Sequence, residues 1–243
     1  NGRPQRFDVL WRGAGDDLGE ERALLNVLVT GSTRGLGRAL VCAFARAGHN
    51  VVLHGRSESA LSHVAAEVDD LNALAVIGRV TGDVCDPETW KRIAAAAGQA
   101  DLDCLVNNAG AYEGPADRII QTNLVAPIEI ICAVYPHFQR RGRGMIVNVN
   151  SLAAKGYNDA EAVYTASKWG LRGFSGSFKY GARRDGVSVL DVYLGAMRTD
   201  MTEERPGREK MIDPDEAAAR IVGECSRGRS LLVNEIEIGR VTG

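Results

Sequence analysis

Long apolar runs are missing from this 243-residue chain. The best stretch, residues 119–138, is broken by Gln121, Thr122, Asn123, Pro127, Glu129 and Pro136. A membrane span needs about 20 nearly continuous apolar residues, so the stretch is expected to be a buried helix and no membrane partner is expected. A charge excess is missing too. Lys and Arg number 29 against 31 Asp and Glu, a net charge of −2, and no global positive field draws in nucleic acid or an anionic surface. The five cysteines (Cys42, Cys85, Cys104, Cys132 and Cys225) form no CxxC pair, and none of the four histidines stands at metal-ligand spacing from them. They read as separate thiols in a reducing compartment, which points to the cytoplasm and to no metal. The N-terminal segment has no apolar signal core. The chain also lacks an initiator Met, which is expected to reflect processing, trimming or excision from a longer chain.

The remaining composition is ordinary for a globular protein, with 45% hydrophobic and 25% charged residues. Two periodicities alternate from about residue 24. Short β-branched runs lie at 26–30, 51–54, 74–80, 102–106, 145–150, 187–194 and 231–238. Most are continuously apolar rather than alternating, as expected of strands buried on both faces of a parallel sheet. Between them lie Ala-, Arg- and Glu-rich stretches of helical length, such as 38–47 and 60–71. Asp86-Pro87-Glu88 and Asp213-Pro214-Asp215-Glu216 each place a cap, a proline and an acid where a helix begins. Strand and helix in alternation predict a doubly wound, Rossmann-type α/β sheet of about seven strands with helices on both faces. Residues 1–22, rich in glycine and acids, are expected to be a flexible extension or linker stub, and 23–243 a single domain.

Thr30-Gly31-Ser32-Thr33-Arg34-Gly35-Leu36-Gly37 follows the first strand and opens into a helix. Glycines permit a tight turn and let backbone N–H groups reach a pyrophosphate at the positive end of the helix. A dinucleotide with a free ribose 2′-hydroxyl is usually held by an acid about 20 residues further on. Here that place reads His54-Gly55-Arg56-Ser57. With no acid there, Arg56, helped by Arg34, is expected to bind a 2′-phosphate, which favours NADP(H) over NAD(H).

Tyr164 and Lys168 lie four residues apart, on one face of a helix. A phenol, with an ordinary pKa near 10, acts as an acid–base group at neutral pH only if nearby cations favour its phenolate. Ser151 lies thirteen positions before Tyr164, Asn107-Asn108-Ala109-Gly110 ends the fourth apolar run, and Asn123 follows. Glycine loop, Asn-Asn-Ala-Gly, Ser and Tyr-x-x-x-Lys in this order resemble the short-chain dehydrogenase/reductase family in its single-domain form, from about residue 24 to 238.

The resemblance implies a carbonyl–alcohol oxidoreductase and assigns roles. Tyr164 would be the acid–base, Ser151 would hydrogen-bond the substrate oxygen, and Lys168 would hold the nicotinamide ribose and lower the Tyr164 pKa. Asn123 would anchor a water on the proton path. Gly31, Ser32, Arg34, Gly35, Leu36 and Gly37 would cradle the pyrophosphate. Asp83 and Val84 would meet the adenine, Asn108, Ala109 and Gly110 the middle of the cofactor, and Thr199 its nicotinamide end. Three departures stand out: a short interval from Gly110 to Asn123, Leu194-Gly195 in place of Pro-Gly, and no glycine-rich C-terminal ending. The last weakens the case for a tetramer, and a homodimer through the helices of Asn123 and Tyr164 is expected. Lys155, Arg198, Arg205, Arg208 and Lys210 hint at an anionic substrate such as a phosphosugar or a carrier-bound acyl group. The acids among them fit a solvated lid equally well. Rival expectations are a non-catalytic NADP(H)-sensing module and the reductase module of a multifunctional enzyme.

Overall fold

The computed structural model describes residues 24–157, 161–199, 202, 207–227 and 232–240. The expected stub at 1–22 lies outside them. Seven strands form one sheet: β1 (Asn26–Val29), β2 (Asn50–Gly55), β3 (Val76–Thr81), β4 (Cys104–Asn107), β5 (Gly144–Ser151), β6 (Val187–Leu194) and β7 (Glu235–Ile238). Their order is β3-β2-β1-β4-β5-β6-β7, and every pairing is parallel. The expected doubly wound sheet is thus what the chain forms. The chain reverses its direction of travel between β1 and β4, so their C-terminal ends flank the crevice where such sheets take ligands.

Helices cover both faces. One layer holds α1 (Gly35–Arg46), α2 (Glu58–Leu71) and α7 (Pro214–Cys225), burying Leu40, Phe44, Leu61, Val68 and Ile221 against the sheet. The other holds α3 (Pro87–Gln99), α5 (Ala126–Arg141) and α6 (Ala162–Arg184), with Ile93, Ile131, Val134 and Phe138 in its core. The apolar stretch 119–138 therefore lies in one helical run, Ala116–Arg141, that packs part of its surface inside and carries a π-helical turn. A short α4 (Ala116–Ile120) runs into a π-helical segment, Gln121–Val125, before α5 begins. The central strands β1, β2 and β4 are buried almost throughout. The edge strands β3 and β7 alternate instead, because one of their faces meets water.

Helix starts follow their caps. Asp86 Oδ1 accepts the Glu88 N–H at 3.0 Å, Asp213 Oδ1 that of Asp215 at 2.8 Å, and Ser57 Oγ that of Ala60 at 3.3 Å. A row of polar side chains in register, Asn107, Asn148 and Asp191, crosses β4, β5 and β6. Asn107 Nδ2 donates to Asn148 Oδ1 at 3.0 Å, Asn148 Nδ2 to Asp191 Oδ1 at 3.2 Å, and Ser175 Oγ of α6 to the same Asp191 oxygen at 2.6 Å. This row holds α6 at a defined height on the sheet. Burial pushes the Asp191 carboxyl up, against its bonds to Ser175 and Asn148 and the nearby Lys179.

Candidate active site

The glycine turn is locked to the ends of two neighbouring strands. Ser32, fully buried, accepts the His54 N–H at 3.0 Å on its Oγ, while its own N–H and hydroxyl donate to the His54 carbonyl. On the other side, Thr30 Oγ1 accepts the N–H groups of Asn108 and Ala109 at 2.9 and 3.1 Å. Asn108 Nδ2 in turn donates to the Thr30 and Gly31 carbonyls. Gly31 and Gly35 take φ of +66° and +51°, which side chains resist. Gly37 lies so close to the turn that a Cβ would stand 2.1 Å from the Gly31 carbonyl oxygen.

Sequence reasoning missed what His54 does there. Its Nδ1 accepts the Gly31 N–H at 3.1 Å, so the neutral ring carries its proton on Nε2. That Nε2 is buried on the Gly82 side of the ring and has no hydrogen-bond partner of good geometry among the described residues. Burial brings the imidazole down to about 4. Only the register of β1 beside β2 brings His54 to the turn, so no local motif could reveal it.

Does this turn fit a dinucleotide phosphate? The first turn of α1 has no acid and no side-chain cap, whereas α2, α3 and α7 each have both. The free N–H groups of a twelve-residue helix therefore face a cradle that a side chain at Gly37 would fill. The residues present fit the group. Around this end, Arg34 stands at the residue before α1 and Arg56 is exposed beyond β2. Arg56 is near enough to Asp83 to favour its carboxylate. Asp83 accepts the Cys85 N–H and pairs with Arg118 of α4. Burial raises its carboxyl, but these partners outweigh burial and hold it below the usual range. Val84 is buried beside it. Thr199, after β6, reaches back over Gly35, where a Cβ would meet its methyl at 3.3 Å.

At the other end of the crevice stand Ser151, Tyr164 and Lys168. Ser151 closes β5, its N–H donating to Asn150 Oδ1 at 2.8 Å and its Oγ accepting the Ala153 N–H at 3.1 Å. Asn150 Nδ2 donates to the Lys168 carbonyl at 3.2 Å, so one asparagine ties the end of β5 to α6. Lys168 is buried, with Nζ 3.2 Å from the Val149 carbonyl and 5.7 Å from the centre of the Tyr164 ring. Burial pushes this amine down to about 8. Tyr164 differs from expectation: burial raises its phenol, Glu161 adds to the rise, and a hydrogen bond from Ser151 opposes both. Lys168 alone does not bring the phenol down.

Asn123 is buried in the π-helical segment. Its Oδ1 accepts the Ala111 N–H at 2.8 Å, and its Nδ2 donates to the Ala111 carbonyl at 2.7 Å and to Ser167 Oγ at 3.1 Å. Ser167 donates onward to the Tyr164 carbonyl at 2.6 Å. Asn123 thus holds the Gly110–Ala111 turn to the helix of Tyr164. Pro127, four residues on, has no N–H and cannot give the Asn123 carbonyl its α-helical donor. A wide π turn at this place is the local consequence.

Tyr112 lies against Tyr164, edge-on with ring centres 5.0 Å apart, and its hydroxyl donates to Glu161 Oε1 at 2.5 Å. The sequence carried no sign of this pair, whose members lie 49 residues apart. Two of the cations expected to meet an anionic substrate are engaged elsewhere. Lys155 is bound by Glu235 at 3.1 Å and by Glu237, and Arg198 by Asp213. These three acids lie far along the chain or beyond the loop, so spacing could not pair them. Lys210 is exposed, and Arg205 and the Arg208 side chain lie outside the described residues.

The sequence profile described as short chain dehydrogenase matches residues 25–210, well over half of the chain. Sepiapterin reductase of Chlorobaculum tepidum is 28% identical over 237 residues, covering 89% of this chain and 96% of its own. An uncharacterized oxidoreductase of Myxococcus xanthus is 35% identical over 194 residues, covering 75% and 76%. Among solved structures, a metagenomic short-chain oxidoreductase in complex with NADP superposes with TM-score 0.76 at 27% identity, covering 90% and 98%. A short-chain dehydrogenase from Sphingobium yanoikuyae in complex with NADPH gives TM-score 0.77 at 27% identity, covering 87% of each chain.

Proposed function

The chain belongs to the short-chain dehydrogenase family of oxidoreductases, and from that premise we propose that it is an NADP(H)-dependent enzyme interconverting a carbonyl and a secondary alcohol. The observation that carries the proposal is the convergence of Ser151, Tyr164 and Lys168 at one end of a crevice whose other end is an uncapped, glycine-lined helix start. When bound, the dinucleotide supplies or accepts the hydride. Its pyrophosphate is assigned to Gly31, Ser32, Gly35, Leu36 and Gly37, its adenine to Asp83 and Val84, and its middle to Asn108, Ala109 and Gly110.

The remaining work falls to side chains. Ser151 donates its hydroxyl proton to the substrate oxygen and stabilises the charge that develops there. Tyr164 gives its phenolic proton to the nascent alkoxide in reduction and takes it back in oxidation. Lys168, placed between the phenol and the Val149 carbonyl, holds the nicotinamide ribose and passes a proton inward. The Asn123 carbonyl, denied its helical donor by Pro127, anchors the water that completes the path. Burial and Glu161 raise the phenol, and the positive charge of the oxidised nicotinamide, when bound, would favour its phenolate.

The cofactor preference is supported by Arg56, exposed beside Asp83 where an acid would otherwise grip a free 2′-hydroxyl, and by relatives solved with NADP and NADPH. A cytoplasmic homodimer meeting along α5 and α6 completes the proposal, supported by Tyr180, 71% exposed on α6. The test is kcat/KM for NADPH and NADH against a panel of ketones and ketoacyl thioesters. Turnover with at least a tenfold preference for NADPH, roughly 1.4 kcal/mol, is expected; an NADH preference contradicts the cofactor assignment, and no turnover contradicts the enzyme.

A further inference from the structure

The proposed catalytic groups stand on two separate elements: Ser151 ends β5, whereas Tyr164 and Lys168 lie one turn apart on α6. Asn148 and Asn150, two residues apart on β5, point to the same face of the sheet, and both reach α6. Asn148 Nδ2 donates to Ser175 Oγ at 3.2 Å, and Asn150 Nδ2 donates to the Lys168 carbonyl at 3.2 Å. The two ties are not equivalent. Asn148 makes its other contacts inside the sheet, with Asn107 and Asp191. Asn150, only 3% exposed, turns its Oδ1 to the Ser151 N–H at 2.8 Å. An N–H only donates and a carbonyl only accepts, so one orientation alone of this amide serves both partners. We propose that Asn150 is a positioning residue of the active site, holding Ser151 and the Tyr164–Lys168 pair in one frame through the two ends of its amide.

The proposal rests on the reading of Ser151, Tyr164 and Lys168 as the catalytic set. Three consecutive residues of β5 then each hold one part of it. The Val149 carbonyl meets Lys168 Nζ at 3.2 Å, Asn150 holds the Lys168 backbone, and Ser151 hydrogen-bonds the Tyr164 phenol. The Lys168 carbonyl has a second lone pair, so it accepts from Asn150 without giving up its place in the helix. Loss of the amide frees α6 to shift against β5 at the level of the site. The Asn148–Ser175 tie, about two turns further along α6, still keeps the helix on the sheet. A misplacement of about 1 Å between reacting groups costs roughly a hundredfold in rate.

Three variants separate a positioning residue from one that only holds the fold. Asn150→Ala loses both bonds. Asn150→Asp keeps the shape and the acceptor for the Ser151 N–H but has no donor for the Lys168 carbonyl. Asn148→Ala removes the neighbouring tie and is the control. For each, Tm, the NADPH dissociation constant and kcat are measured, and the Tyr164 phenol is titrated with NADP+ bound, by ultraviolet difference against Tyr164→Phe. Both Asn150 variants should lower kcat by roughly tenfold or more, while NADPH, gripped chiefly at the glycine turn, weakens by less than about threefold. In Asn150→Ala the phenol should titrate higher than in wild type, because the Ser151 bond that opposes its rise is loosened. Asn148→Ala should lower Tm and leave kcat and the phenol as they are. Wild-type kcat in Asn150→Asp, an unmoved phenol in Asn150→Ala, or the same loss of kcat in Asn148→Ala overturns the proposal. Failure of the dehydrogenase reading shows itself separately, as a wild type that oxidises NADPH with no ketone, and the phenol titration then decides the role of Asn150 without turnover.

Discussion

A single methyl group at Gly37 should dismantle the cradle. The Cβ of Gly37→Ala would stand 2.1 Å from the Gly31 carbonyl oxygen and 2.5 Å from Asn108 Nδ2. Neither obstacle can swing aside. The first is backbone, and the second is held by the Thr30 and Gly31 carbonyls at 2.9 and 3.2 Å. Either the first turn of α1 lifts or the turn before it opens. Overpacking of a filled site costs about 1–3 kcal/mol, and a contact with fixed backbone belongs at the upper end. For a chain of this size each kcal/mol is about 2–4 °C, so Tm should fall by about 6–12 °C. Displaced N–H groups should also weaken NADPH by roughly tenfold or more, since hydrogen bonds to charged groups are worth about 1.5–3 kcal/mol. Gly223→Ala on α7 is the control. Nothing lies within 4 Å of its Cβ position, and relief of backbone freedom should add about 0.5–1 kcal/mol. Calorimetry gives Tm, and titration calorimetry gives the NADPH affinity. A Gly37→Ala protein within about 1 °C of wild type and binding NADPH unchanged would refute the geometry.

Three other outcomes follow from named contacts. His54 titrates at about 4 when folded against an ordinary value of 6.5, so the unfolded chain binds the extra proton between those values. Stability is therefore intact above 6.5 and falls by about 3 kcal/mol as pH drops to 4; urea unfolding of wild type and His54→Asn across that window should show the loss only in wild type. Asn123→Ala removes three hydrogen bonds of a buried side chain and should cost about 2–4 kcal/mol in urea, a cost under about 0.5 kcal/mol counting against its role as the tie between Ala111 and α6. Arg56→Ala should raise the NADPH dissociation constant roughly tenfold and leave that of NADH alone; equal effects on both would show that Arg56 does not meet the 2′-phosphate.

Local chemistry was legible in the sequence where neighbours along the chain are also neighbours in space. The glycine turn, the Asp-Pro helix starts and the Tyr164–Lys168 spacing each lie within one turn or one helix. Their order along the chain was enough to place β1, β4, β5 and α6 around one crevice. What could not be read depends on register and on long-range pairing. His54 reaches Gly31 only because β2 lies beside β1. Lys155 looked like a pocket cation until β7 brought two glutamates to it. The π-helical turn that carries Asn123 was not legible either, since periodicity alone runs 119–138 through as a regular helix. The Tyr164 phenol likewise depends on how deeply the fold buries it, which no Tyr–Lys spacing states.

The most direct measurement is single-turnover NADPH oxidation by Tyr164→Phe with a ketone that the wild type reduces, alongside NADPH binding to the same variant. The ring of Phe keeps the packing on Tyr112 but has no proton to give, so turnover should fall by at least about a hundredfold with NADPH affinity unchanged. Hydride transfer at the wild-type rate would mean that the alkoxide takes its proton from another group, and the assignment of the site would be wrong.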